Sequence, residues 1–422
     1  MHLNNGGTTI FISPPEGKSE KAVPHETALI ATIAVGLTYA LIGGFIAARL
    51  HLSPLVGYLL AGVAVGPFTP GFVADTKLAG ELAEVGVILL MFGVGMHFTI
   101  SDLLAVRSIA LPGAVAQIVV ATALGAATAL VWDWTIVASL VFGLALSVAS
   151  TVVLLRALKE QGALDSVDGR IATGWLIVED LVIVLALVLL PAIAVSVDTR
   201  SISTGVAAVL GITLAKIGAF VAVMLVVGVR LLPWLLDQVA RTGSRELFTV
   251  GVVVSALGIA FGSAELFGVS LSLGAFFAGV VINQSDHSHR AAKELQPLED
   301  AFAVLFFVSV GMLFDPAILV RQPLQILAVV AIVIFGKSLV AFLIVLGFRY
   351  PVGAALMISA SLAQIGEFSF ILVGLAIALD ILPAIARDLI LAAALFSITL
   401  NPLAFRVVGA LQSRIASRTQ RG

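Results

Sequence analysis

Apolar positions in this chain do not alternate with polar ones; they run together in long blocks separated by Pro, Gly and clusters of charge. A helix needs about 20 consecutive apolar residues to cross the hydrocarbon core of a bilayer, and such runs follow one another almost end to end. Backbone N–H and C=O groups cannot stay unpaired in lipid, so helices are the expected solution, and the alternating pattern of a membrane barrel is absent. The blocks predict thirteen transmembrane helices, over roughly 27–48, 54–72, 80–98, 108–131, 136–158, 170–195, 203–231, 246–262, 265–283, 298–314, 324–348, 351–379 and 386–408. The second, fifth, ninth and twelfth are short or interrupted by Gly and Ser. The expected fold class is therefore an all-α membrane protein.

Composition agrees with the pattern. Of 422 residues, 60% are hydrophobic and 11% charged, against about a quarter charged in a soluble domain. No cysteine is present, which excludes disulfides, thiolate metal sites and Cys nucleophiles. Residues 1–26 are polar and lack the apolar core of a signal peptide, so the first span is expected to serve as the insertion signal. The positive-inside rule sets the orientation. With the N-terminus outside, fifteen of the 23 Lys and Arg residues fall on the inner side and six on the outer, while Lys216 and Lys337 lie within spans. This places the C-terminus in the cytoplasm.

The chain also matches itself. "LAEVGVILLMFGVGMHF" (82–98) aligns with "LEDAFAVLFFVSVGMLF" (298–314), including Gly95/Gly311 and the acidic pair Glu84/Asp300. "GYLLAGV" (57–63) aligns with "GAFFAGV" (274–280), including Gly57/Gly274 and Gly62/Gly279. Spans three and ten differ by an odd number, so the copies would enter the bilayer in opposite directions. The expected division is a polar tail over 1–26, a first inverted six-helix repeat over 27–202, a linker span and loop over 203–245, a second repeat over 246–408 and a short basic cytoplasmic tail over 409–422. Inverted repeats with interrupted helices near the midplane are a signature of secondary transporters.

The ionisable residues away from span ends are Glu179, Asp180, Lys216, Lys337 and Glu367. Each costs about 2.5–3.5 kcal/mol near a helix centre on insertion scales, so each is a functional candidate. Adjacent helical residues point about 100° apart, so Glu179 and Asp180 cannot share one direction. One is free to face a cavity while the other turns to a partner such as Lys337. Two carboxylates and one ammonium sum to −1, a charge that one monovalent cation or one proton neutralises; such a site has two competing ligands. Divalent ions require more oxygen ligands than this set supplies. Ser147, Ser150 and Thr151 in the fifth span and Ser359, Ser361, Gln364, Gly366 and Ser369 in the twelfth interrupt apolar runs at matching places. Broken helices there would expose N–H and C=O groups able to complete a cation's shell. Lys216 lies outside both repeats and is read as snorkelling or pairing across an interface. The "DHSHR" segment (286–290) is read as a solvated loop. Gly93 and Gly95 lie inside a span, so no dinucleotide fingerprint is formed and no cofactor is expected.

The acidic pair in the sixth span, the lysine in the eleventh, "SLAQIGEFSF" in the twelfth and the inverted halves resemble monovalent cation:proton antiporters of the Kef-type and sodium/proton exchanger branch, over about residues 27 to 408. The resemblance implies a scaffold and a mobile core moving elevator-like, a homodimer in the bilayer, and an exchanger rather than an enzyme. It assigns Asp180 as the residue that binds Na⁺ or K⁺ and H⁺, Glu179 as its acidic neighbour and Lys337 as the partner of that neighbour. Ser147, Ser150, Thr151, Ser361, Gln364 and Glu367 would line the interrupted helices. A bacterial inner membrane is the expected location. Neither nucleic acid nor a nucleotide-binding domain in cis is expected. The Glu-Asp pair departs from the two aspartates of electrogenic sodium/proton members and from the Gln-Asp of many Kef-type members, so ion choice and stoichiometry stay open. The alternatives are a Na⁺-coupled organic-anion symporter of related fold and a passive cation channel. Among the five in-span ionisable groups no arginine is present to hold an organic carboxylate.

Overall fold

The computed structural model describes residues 28–70, 74–97, 100–163, 166–198 and 204–419. The polar segment 1–26 lies outside the described residues. The described residues form helices and no strands: α1 (Ala28–Arg49), α2 (Pro54–Val65), α3 (Thr76–His97), α4 (Ile100–Val131), α5 (Ile136–Ser147), α6 (Thr151–Glu160), α7 (Val167–Asp198), α8 (Thr204–Val223), α9 (Val229–Arg241), α10 (Arg245–Phe267), α11 (Leu271–Asn283), α12 (Ser288–Met312), α13 (Ile318–Arg321), α14 (Pro323–Ala331), α15 (Lys337–Gly347), α16 (Val352–Ser361), α17 (Glu367–Ala378) and α18 (Ile385–Thr419). A single π-helical turn, Met224–Gly228, joins α8 to α9, and another, Ile332–Gly336, joins α14 to α15. Nine segments among the described residues are long and apolar enough to cross a membrane. The chain is an integral membrane protein.

The spans read as short or interrupted are those whose helices are too short to cross alone: α2, α5, α11, α16 and α17. The local chemistry explains three of the boundaries. The predicted second span, 54–72, ends early, because α2 stops at Val65 before Gly66-Pro67, and proline restricts its predecessor away from the helical region. The eighth span, placed over 246–262, instead runs to Phe267, and the ninth begins at Leu271 rather than at 265. Gly268 adopts φ 64° and closes α10 with a left-handed cap, and the Ser270 hydroxyl then accepts the Leu273 N–H at 3.3 Å to open α11. The predicted basic tail after 408 is a continuation of α18 as far as Thr419. No proline follows Pro402 to stop it.

By their helix–helix contacts the described residues fall into two groups, which share one large hydrophobic core. α1, α2, α3, α10, α11 and α12 form one; α4 to α7 with α14 to α18 form the other; α8 packs on α7 and α10, while α9 packs on α10 and α11. The first group is held by glycines at backbone-to-backbone crossings. A methyl group added at Gly62 would strike the Val308 carbonyl oxygen and lie 2.8 Å from Gly311 Cα; one at Gly279 would strike the Phe92 carbonyl oxygen and lie 3.0 Å from Gly95 Cα. The reverse contacts also correspond, Gly311 against the Leu59 carbonyl and Gly95 against the Phe276 carbonyl. Each member of one crossing is thus the aligned counterpart of a member of the other. Without a hydrophobic drive between helices in lipid, such close approach of small residues supplies the van der Waals contact that associates them.

Candidate ion-binding site

In the second group two interrupted helices cross. The breaks are Val148–Ser150, between α5 and α6, and Leu362–Gly366, between α16 and α17. The Gly366 N–H donates to the Val148 carbonyl at 3.1 Å, and a methyl group at Gly366 would strike the Ala149 carbonyl oxygen, so only glycine permits this approach. Gln364, fully buried, spans the crossing: its Oε1 accepts the Ser150 N–H at 2.9 Å and its Nε2 donates to the Ser150 carbonyl at 3.1 Å. A side-chain amide carries a donor and an acceptor on one planar group, so it answers the N–H and the C=O of the same residue at once.

The acidic pair enters from α7. Glu179 is completely buried and its Oε2 accepts the Ala149 N–H at 2.8 Å. Asp180, 7% exposed, points elsewhere, as the helical offset requires: its Oδ2 accepts the Thr151 hydroxyl at 3.1 Å. Lys337 follows the π-helical turn of Ile332–Gly336, is completely buried, and donates from Nζ to the Gln364 carbonyl at 3.0 Å. Its charge acts on Glu179, but no ion pair within 4.0 Å joins the two. Lys337 is therefore held first by a carbonyl freed at the break. Glu367 is the first residue of α17, 6% exposed, and its charge acts on Asp180. Negative charge at a helix N-terminus is stabilised by the aligned peptide dipoles. Three carboxylate oxygens here, Glu179 Oε1, Asp180 Oδ1 and Glu367 Oε2, are buried with no hydrogen-bond partner among the described residues.

The structure thus brings together Glu179, Asp180, Lys337, Ser150, Thr151, Gln364 and Glu367. It does not bring the other hydroxyls to the carboxylates. Ser147, Ser359 and Ser361 donate back within their own helices, to Leu144, Leu356 and Met357 carbonyls, and Ser369 donates across to the Ala145 carbonyl at 2.6 Å. Lys216 is exposed on α8, near Gly268 and outside the cluster. His287 sits 3.7 Å from Asp237 at the start of α12, and His289 is exposed. Among the described residues no group of three His, Cys, Asp or Glu side chains converges as a multidentate metal site would require.

Three site residues carry no charge and were passed over in the sequence. Gln117 on α4 donates to the Ser147 carbonyl at 3.1 Å; Ser397 on α18 accepts the Ile365 N–H at 3.3 Å; Asn401 donates to the Ala360 carbonyl at 3.0 Å. Each satisfies a backbone group freed at a helix end, and a lone polar side chain in an apolar run was the available signal.

Two cavities lie toward the two ends of this crossing. One, of about 790 Å³, is lined by Glu84, Leu187, Val269, Ser270, Phe306 and Phe370. The other, of about 170 Å³, is lined by Leu52, Ser53, Val153, Asn401 and Phe405. Extending the second repeat match back by five residues pairs Leu52 with Val269 and Ser53 with Ser270.

The family profile described as sodium/hydrogen exchanger, transmembrane, matches residues 36–410. The chain belongs to this exchanger family. It is 61% identical over 385 residues to the putative cation/proton antiporter YbaL of Escherichia coli K12, covering 91% of this chain and 69% of that one. It is 32% identical over 404 residues to K(+) efflux antiporter 4 of Arabidopsis thaliana, covering 95% of this chain and 67% of that one. The fold is that of the sodium proton antiporter MjNhaP1 of Methanocaldococcus jannaschii, with TM-score 0.62 and 17% identity, covering 91% of this chain and 99% of that one. Members of this family are transporters, not enzymes.

Proposed function

We propose that the chain exchanges Na⁺ or K⁺ for H⁺ by alternating access, with Asp180 binding cation and proton in turn. One observation carries this reading: Asp180 is buried where two interrupted helices cross, and its Oδ1 has no hydrogen-bond partner among the described residues. A buried carboxylate oxygen without a donor needs a proton or a cation to be stable. Beside it, Glu179 and Lys337 bring opposite charges that act on each other while each is hydrogen-bonded to a freed backbone group.

The glycine contacts exchanged between corresponding helices support two inverted halves within thirteen crossings. The two cavities, lined at corresponding places of the two halves, support alternating access. The charge asymmetry supports an outside N-terminus in an inner membrane. The resemblance implies a homodimer. K⁺ is the first cation to test, because the sequence relatives that name an ion name K⁺.

The test uses the purified chain in liposomes with a pH dye inside, an imposed pH gradient, and K⁺, Na⁺, Li⁺ or choline added in turn. Dequenching by a small cation, lost in Asp180→Asn, is expected. No response to any cation, or full activity in Asp180→Asn, would overturn the reading. Substrate-induced Na⁺ uptake without proton movement would point to symport instead.

A further inference from the structure

Asp180 and Glu367 come from different helices, α7 and α17, yet both meet the break between α5 and α6. The Thr151 hydroxyl holds Asp180 Oδ2 at 3.1 Å, and Gly366, the residue before Glu367, packs so closely on the break that an added methyl group would lie 3.0 Å from Ser150 N. Each carboxylate keeps one buried oxygen without a partner, Asp180 Oδ1 and Glu367 Oε2. The charge of Glu367 acts on Asp180 across the break.

The buried cation does not serve this pair. Lys337 acts on Glu179 and donates to the Gln364 carbonyl. The helix dipole of α17 favours a carboxylate at Glu367, and its buried Oε2 is left with a lone pair that a cation can use. We propose that Glu367 is a second carboxylate ligand of the transported monovalent cation, which is held between Asp180 and Glu367. With Glu179 and Lys337 cancelling, the two remaining carboxylates attract a cation more strongly than one would, and the Thr151 hydroxyl oxygen and freed carbonyls of the breaks are at hand as neutral ligands. The remaining surroundings, Ser150, Gln364 and Ser397, carry no charge. This inference rests on the exchange reading above and adds a ligand to it.

The full chain in liposomes tests it through the KM for K⁺ and Na⁺, the turnover and the thermal midpoint of Glu367→Gln and Glu367→Asp. Glu367→Gln is expected to raise the cation KM at least tenfold with a midpoint close to the parent's. Glu367→Asp, which keeps the charge on a shorter stem, is expected to recover much of the affinity and to change the K⁺/Na⁺ preference. An unchanged KM and preference in both variants, with or without a lowered midpoint, would make Glu367 a structural cap and overturn the proposal. If Glu367→Gln does not fold, binding of radioactive Rb⁺ or Na⁺ to Glu367→Asp decides alone: unaltered preference overturns it. Exchange surviving in Asp180→Asn would instead remove the underlying site assignment, whatever Glu367 does.

Discussion

The glycine-packed group and the interrupted-helix group solve the same problem in opposite ways. In the first, Gly62, Gly95, Gly279 and Gly311 bring backbones into contact, with no fully buried ionisable side chain at those crossings. In the second, backbone continuity is broken, and the freed groups are answered by Glu179, Gln117, Gln364, Lys337, Ser397 and Asn401. Dispersion contacts depend on close fit and tolerate little change of shape. A polar crossing holds partial charges in place, where they can exchange one ligand for another. The second group also has a glycine crossing, Gly143 against the Thr122 carbonyl; what sets it apart is the polar break with its buried carboxylates.

Four substitutions test that division. The largest effect on transport belongs to Asp180→Asn: cation-driven proton flux in liposomes should fall by about 100-fold or more, while the thermal midpoint stays near the parent's, because amide and carboxylate are isosteric. Such a loss corresponds to about 2.7 kcal/mol at roughly 1.4 kcal/mol per tenfold. Lys337→Ala should act on both fold and function. Removing one partner of a buried charge pair costs on the order of 3–5 kcal/mol, so a fluorescence-detected melt should shift clearly downward; an unaltered melt and unaltered proton-to-cation ratio would take Lys337 out of the arrangement.

Gly311→Ala belongs to the first group. Overpacking against the Leu59 carbonyl should cost about 1–3 kcal/mol and lower the melt, with cation KM unchanged in the protein that remains folded. A KM shift there would blur the boundary between the two regions. Ser397→Ala should be mildest, because it removes one acceptor from the Ile365 N–H and costs about 1 kcal/mol. Its flux should stay within a few-fold of the parent's, and a complete loss would give Ser397 a direct part in ion handling.

Much of this was written in the order of residues. Apolar runs of spanning length forced helices, Gly and Ser marked the interrupted segments, and two carboxylates adjacent in an apolar run announced a site, because each such signal is local and carries a large free-energy penalty if misread. The boundary between α10 and α11 was missed because Gly268 acts through its left-handed backbone, and "SAELFGVS" around it differs little in hydropathy from its surroundings. Gln117, Ser397 and Asn401 were missed because a neutral polar side chain in a span is common, and its importance depends on which freed peptide group lies opposite.

What the sequence by itself determined is the medium, the class of fold and the identity of the buried charges, since insertion energy and helical periodicity depend on neighbours along the chain. Only the tertiary structure decided the partners. The Lys337 ammonium acts on Glu179 and gives its hydrogen bond to the Gln364 carbonyl, and Gly366 brings the start of α17 against the break between α5 and α6, where Thr151 holds Asp180. Electrostatic interaction depends on distance in space and on burial, and residues more than 180 positions apart acquire both only when the two interrupted helices meet.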